Sequence, residues 1–552
     1  MKKPILSEMT LREKIGQTFI MRVYEYKFLD DYKKYFSENP IGCAWTCGET
    51  RKDYFKIATD MGKSIEDGYI DDLFKDYLNT VNGLVSIPVM PVMDASNGIP
   101  KTKMPGHAGL PSATGLGATR DPELAYEYGK YLGEDLYISG IRWLWSPVAD
   151  NAEKYKDLRH LSSDHENNAK LLAAFIKGVQ SAGVATGTKH FPGADPYEYR
   201  DSHFCTSSYA QSFDYWWNTQ AKEFMACIEA GTDSIMVGHA TFRAVDDTMV
   251  DGRLLPCTLS KKVLTDLLKG KMGFKGVVLT DDAAMKGFSA IYGTRNSYVA
   301  AINAGIDMIL GPCDFDYIDI IEEAVNNGEI PMSRIDDACQ RVLDMKDKYG
   351  IFDEKPYVYP TEEEREAIRV KMHDLCRRIA EKGLSMTCNN VGLVPLNRDA
   401  VKKVKMVYMG YSDEVYENLK SAVDEFKLHG AECTLQNSFS KEDNETLHEY
   451  DLIVYATYLG FFAPEGGQYF FGEKCWQLQR IMTKEIDKSV GVSFGCPDIY
   501  FNYFTAAKTF VNCYSFNEET IRGFVKGLYG DLNFTDYYPF PLNPITRTNE
   551  VY

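Results

Sequence analysis

Three short stretches of this chain carry side chains able to do acid, base or nucleophilic chemistry. Lys189-His190-Phe191-Pro192-Gly193 is followed eight residues on by Asp201-Ser202-His203, and later comes Val277-Val278-Leu279-Thr280-Asp281-Asp282. Asp201 and His203 stand two residues apart, so the carboxylate can hold one ring nitrogen and leave the other free to move a proton. Asp281 ends an apolar, β-branched run and supplies a carboxylate able to act as a nucleophile. Asp282 competes with it, but side chains at a strand end alternate between faces and only one of the pair can point into a shared site.

The elements that must position these residues follow from hydrophobic periodicity. Apolar strand-like runs occur at Thr18 to Arg22, Ile41 to Trp45, Val89 to Met93, Ile141 to Ala149, Val184 to Lys189, Ser234 to Gly238, Val277 to Thr280 and Met308 to Leu310. Amphipathic helical patterns separate the later ones, including Asn167 to Ala182, Gln220 to Ala230, and Leu259 to Gly270 with Thr258 or Ser260 as N-cap. An eightfold βα series predicts a (β/α)8 TIM-type barrel over residues 1–350. Asp94, Asp150, Lys189, His190, His239 and Asp281 all follow strands, on the barrel face where catalytic groups gather.

Residues 351–385 read as a linker and connecting helix, with a charged helical pattern from Thr361 to Lys382. A second alternating set occupies 386–535, with strands expected at Val404 to Met409, Glu432 to Gln436, Leu452 to Ala456, Val490 to Phe494 and Phe510 to Tyr514. It predicts a smaller α/β sandwich with an open, mainly parallel sheet. Residues 536–552, rich in Pro, Tyr and Asn, form an irregular tail.

A formal net charge of −18 and no Lys/Arg-rich run argue against nucleic acid as a partner. No apolar stretch is long enough for a signal h-region or a membrane span, so a cytoplasmic location without membrane association is expected. The 13 cysteines are odd in number and scattered through apolar segments, as reduced buried thiols would be. Cys43 and Cys47 lie four apart, but no second ligand pair follows, and no metal is expected.

The motifs resemble those of glycoside hydrolase family 3, in its two-domain β-N-acetylglucosaminidase branch. The resemblance runs through Met9 to Gln17, Gly115 to Pro122, Ser146-Pro147-Val148-Ala149-Asp150, the Lys189 to His203 loop, Leu279 to Gly287, Ala304-Gly305-Ile306-Asp307-Met308, and Asn390 to Leu396. It implies a retaining exo-acting hydrolase of terminal β-linked N-acetylhexosamine, most often N-acetylglucosamine, with Asp281 as nucleophile. It further implies that His203 is general acid and base, oriented by Asp201, and that no cofactor takes part. Asp94, Arg159, Lys189 and His190 match residues that bind sugar hydroxyls, and the implied partner is a small amino-sugar glycoside or oligosaccharide. The resemblance sets no oligomeric state.

Two departures bear on substrate. After Asp94 the chain reads Ala95-Ser96-Asn97-Gly98-Ile99-Pro100-Lys101 where the branch has an arginine-bearing run, and Ala194 stands where it has a second histidine. A β-glucosidase or β-xylosidase of the same family would instead take its acid from Glu465, in Pro464-Glu465-Gly466-Gly467. A sugar-binding barrel without catalysis would retain neither nucleophile nor dyad.

Overall fold

The structure, a computed structural model, describes residues 2–23, 29–46, 78–96, 109–150, 158–198, 200–311, 316–353, 357–358, 360–440, 445–459 and 474–542. The chain divides into two compact units. Met1–Ala108, Ala125–Asp150 and Leu172–Arg369 form the first, and Gly109–Leu124, Asn151–Leu171 and Val370–Tyr552 form the second.

In the first unit, eight parallel strands stand where the apolar runs placed them. These are β1 (Phe19–Val23), β2 (Cys43–Thr46), β3 (Met90–Met93), β4 (Trp143–Leu144), β5 (Ala185–Phe191), β6 (Ser234–Val237), β7 (Val277–Thr280) and β8 (Ile309–Leu310). Each pairs with its neighbour in sequence, and β1 also pairs with β8. A bridge between Leu279 and Met308 links β7 to β8 and closes the barrel.

The interior is a packed core rather than a pore. Ile20, Cys43, Val92, Trp143, Trp145, Ala185, Met236, Leu279 and Met308 belong to one buried cluster. Gly187 makes room for the indoles, since a Cβ there would lie 3.1 Å from Trp145 Cδ1 and 3.3 Å from Trp143 Nε1. Because strand side chains alternate, the inward series Met90–Val92, Ala185–Gly187 and Val277–Leu279 continue to Asp94, Lys189 and Asp281 at the C-terminal mouth.

The helices agree with their patterns at His165–Ser181 and Gln220–Ala230. The stretch expected as one helix from Leu259 is a 3₁₀ turn, Cys257–Leu259, followed by a π-helix, Lys262–Lys271. Ser260 caps it, its Oγ accepting from the Val263 N–H at 3.2 Å.

The second unit holds a six-stranded sheet of β9 (Ser385–Asn389), β10 (Lys403–Tyr408), β11 (Glu432–Gln436), β12 (Leu452–Thr457), β13 (Ser489–Ser493) and β14 (Thr509–Asn512). The order is β9-β14-β13-β12-β10-β11, with β9 antiparallel to β14 and the others parallel. Both faces are buried. Val404, Met406, Val454 and Val492 pack with Phe426 and Phe524 on one face, and Val407, Ile453, Tyr455 and Phe510 with Ile481 and Phe504 on the other. The helix Glu362–Gly383 opens with a capping box in which the Thr361 N–H and Glu364 N–H each donate to the other residue's side chain. Among the described residues no helix is long and apolar enough to cross a membrane.

Candidate active site

Asp94, Lys189, His190 and Asp281 meet at the barrel mouth. Lys189 is 1% exposed, and its Nζ donates to Asp94 Oδ1 at 2.7 Å. A buried ammonium needs such a partner, since leaving it unpaired in the interior costs several kcal/mol, on the order of a lost buried ion pair. Asp94 keeps a 37% exposed side chain, which leaves carboxylate surface open to a ligand's hydroxyls.

His190 owes its place to an irregularity in β5. Lys189 pairs with Met236 and Phe191 with Val237, the next residue, so His190 is one residue extra. A bulge of this kind re-aims a side chain. His190 Nδ1 lies 3.3 Å from both carboxylate oxygens of Asp150, and Nε2 lies 3.9 Å from Asp281 Oδ2. Asp150 was legible as a strand-end carboxylate, but its pairing with a histidine forty positions away had no signal in the sequence.

The Asp281 backbone N–H donates to the Val237 carbonyl at 2.9 Å, and the Asp282 N–H donates to Asp281 Oδ1 at 2.8 Å. Burial pushes the Asp281 carboxyl up, but His190, His239, the Asp282 N–H and Lys189 outweigh it and hold the group below the ordinary carboxylate range. Asp282 differs from it. Burial pushes it up to about 6, against one opposing N–H from Ala284. The environments of two adjacent carboxyls therefore push them apart, Asp281 held low and Asp282 raised.

His239, after β6, is buried, and burial depresses its pKa. Its Nε2 lies 3.1 Å from the Asp282 carbonyl, an acceptor only, and its Nδ1 lies 3.0 Å from Thr258 Oγ1. Nε2 thus donates to that carbonyl, and the Thr258 hydroxyl completes the ring's hydrogen bonding at Nδ1.

The raised Asp282 carboxyl makes a prediction for stability. The folded state binds its proton more tightly than the unfolded chain, whose value lies near 3.8. Stability therefore falls as pH rises from about 4 through about 6. Asp282→Asn removes that fall while preserving an acceptor for the Ala284 N–H. Thermal unfolding is expected to show a larger gain for Asp282→Asn at pH about 7.5 than at about 4.5; equal shifts would contradict the assignment.

The Asp201–His203 segment is a tight turn. The N–H groups of Phe204 and Cys205 both donate to the Asp201 carbonyl, at 3.1 and 3.2 Å. His203 Nδ1 lies 2.7 Å from Asp201 Oδ1, which also accepts the His203 backbone N–H at 2.9 Å. The other oxygen, Oδ2, is buried and meets no donor among the described residues. The Nδ1 contact places a proton between ring and carboxylate and frees Nε2, on a side chain 45% exposed. The Lys286 N–H donates to the His203 carbonyl at 3.1 Å, which ties the turn to the segment that follows Asp281.

The loop leading to this turn is anchored at several points. Trp216 Nε1 donates to the Pro192 carbonyl and Gln220 Nε2 to the Ala194 carbonyl, each at 2.7 Å. Gly193 has φ +115°, and a Cβ there would fall 1.8 Å from Gln220 Oε1, so only glycine fits. Asp195 accepts from the N–H groups of Tyr197 and Ala210 at 2.8 and 2.7 Å.

Arg159 belongs to the second unit. Its turn is held by Thr114, whose N–H donates to the Leu158 carbonyl at 3.2 Å and whose Oγ1 donates to the His160 carbonyl at 2.8 Å. Glu465, Lys101 and Cys47 lie outside the described residues. Among the described residues, no three His, Cys, Asp or Glu side chains converge as a metal site.

The family model for the glycosyl hydrolase family 3 N-terminal domain matches residues 10–345. The chain belongs to glycosyl hydrolase family 3. This family 3 chain is 26% identical over 347 residues to a β-N-acetylglucosaminidase/β-glucosidase of Cellulomonas fimi, with 60% of each chain covered. It is 28% identical over 426 residues to β-glucosidase C of Emericella nidulans, covering 71% of this chain and 66% of that one. A β-hexosaminidase of Tolumonas auensis is 30% identical over 239 residues, 42% of this chain and 69% of the relative. The family 3 chain thus spans 60% of the Cellulomonas protein and 66% of the Emericella protein. Among solved structures, a β-glucoside phosphorylase superposes with a TM-score of 0.82 at 22% identity, covering 98% of this chain and 95% of the other. A β-N-acetylglucosaminidase from Paenibacillus sp. does so with 0.77 at 24%, covering 98% and 100%. At these identities the likeness is one of fold.

Proposed function

We propose that this family 3 chain is a retaining, exo-acting β-N-acetylhexosaminidase that removes terminal β-linked N-acetylglucosamine. The observation that carries this reading is the 2.7 Å contact between His203 Nδ1 and Asp201 Oδ1, in a turn hydrogen-bonded to the segment after Asp281. Asp281 attacks the anomeric carbon as the glycosidic bond breaks, and His203 Nε2 delivers a proton to the departing oxygen. Water then attacks the glycosyl-enzyme, giving its proton to the same nitrogen and restoring both groups. Asp201 orients the ring and stabilises the imidazolium, its carboxylate being the near counter-charge. Asp94, Lys189 and His190 hold the sugar hydroxyls. Arg159 keeps a part in sugar binding on the family resemblance.

A second reading is favoured by the relatives named as β-glucosidases: glucoside or xyloside hydrolysis with Glu465 as acid. Initial rates on p-nitrophenyl β-glycosides of N-acetylglucosamine, N-acetylgalactosamine, glucose and xylose, with and without inorganic phosphate, separate the two. Preference for an acetamido sugar, with loss in His203→Ala and none in Glu465→Ala, is expected. Preference for glucose or xylose with loss in Glu465→Ala would replace the dyad mechanism. Asp201→Asn is expected to cost about ten- to a hundredfold in kcat, less than loss of the imidazole, because it removes orientation and charge but leaves the proton carrier.

A further inference from the structure

Phe204, next to His203, is the one exposed phenylalanine among the described residues, with 65% of its surface open. Its backbone is not loose. The Phe204 N–H donates to the Asp201 carbonyl at 3.1 Å, and the preceding carbonyl, that of His203, accepts from the Lys286 N–H at 3.1 Å. The following carbonyl, that of Cys205, lies 3.3 Å from where a Cβ on Gly287 would stand. Residues 203–205 are thus seated on 286–287, a few residues beyond the end of β7 at Thr280, and the Phe204 side chain is exposed to solvent. An exposed apolar ring on a fixed backbone, next to the proposed acid and base, offers a face on which a ligand's ring can stack.

Chemistry decides which part of the ligand. In the proposed mechanism, on which this inference rests, His203 acts on the glycosidic oxygen, the atom that divides the sugar being released from its leaving group. The sugar itself lies with Asp94, Lys189, His190 and Asp281 in the mouth, so a ring on the solvent side of His203 meets the leaving group. We infer that Phe204 forms the aglycone subsite, and that the aglycone it takes has a flat apolar face, either a second pyranose or an aryl ring.

The test uses the fact that the glycosyl-enzyme has already lost its aglycone. Phe204→Ala and Phe204→Tyr are compared with wild type on the p-nitrophenyl glycoside, a β-linked disaccharide and the glycosyl fluoride of the preferred sugar, and on breakdown of a trapped 5-fluoroglycosyl-enzyme. In Phe204→Ala, kcat/KM is expected to fall about tenfold for ring-bearing aglycones and less than about twofold for the fluoride, with breakdown of the trapped species held within about twofold. Phe204→Tyr restores the ring and the rate. Loss on the disaccharide assigns a pyranose, and loss on the aryl glycoside alone assigns an aryl group. Slowed breakdown would mean that the substitution misplaces His203, equal loss on the fluoride that it disturbs the site of the departing sugar, and unchanged rates throughout that the ring touches nothing; each overturns the subsite. A wild type that turns over no glycoside would refute the proposed function itself, and the subsite with it.

Discussion

Asp281→Ala is expected to lower kcat by about five orders of magnitude, with folding intact, because it removes the atom that forms the covalent bond in the proposed mechanism. The size of the effect follows from how the site is built. His190, His239, Lys189 and the Asp282 N–H together overcome the burial that would otherwise protonate Asp281. The neighbouring carboxyl is not equivalent, since burial pushes Asp282 up to about 6 while Asp281 is held below the ordinary range. The product of rescue identifies the role. Azide admitted to the space left by the missing carboxylate attacks from the face Asp281 would use, so Asp281→Ala is expected to yield an α-glycosyl azide. A β-glycosyl azide, or a variant with near-wild-type turnover, would remove Asp281 from the nucleophile's position.

His203→Ala is expected to cost about 10²- to 10⁴-fold, the range of a positioned proton carrier, and to do so unevenly. Substrates with poor leaving groups need the proton most and lose most in the first step. With an activated aryl leaving group the first step survives, glycosyl-enzyme accumulates, and a burst precedes slow turnover. Azide in this variant attacks the intermediate from the opposite face and yields the β-glycosyl azide. The contrast between α-azide from one variant and β-azide from the other assigns both residues without reference to absolute rates. Equal loss across all leaving groups, with no burst, would place His203 outside proton transfer.

Much of this arrangement was legible in the sequence, for a physical reason. Strands of a parallel barrel are buried on both faces, so each appears as a compact apolar run, and all eight were found at their places. Alternation along those runs carries into Asp94, Lys189 and Asp281, which makes three residues of the mouth predictable from parity alone. The Asp201–His203 contact is local, two residues within one turn, and spacing was enough to anticipate it.

Other features were decided by tertiary structure. The edge strand Ser385–Asn389 carries Ser, Thr and Asn and gains its conformation from antiparallel pairing with Thr509–Asn512, a partner its own residues do not announce. The same holds for segments 109–124 and 151–171, which precede most of the barrel in sequence yet belong to the second unit, where Thr114 holds the Arg159 turn. The bulge that turns His190 toward Asp150 depends on the register between β5 and β6. The choice between Asp281 and Asp282 depends on which charges and N–H groups surround each one. Residue type and period fix which side chains reach the mouth, since both are properties of a single strand. Ionisation and hydrogen-bond partnership are properties of neighbours brought together from distant parts of the chain, and only the folded barrel supplies those neighbours.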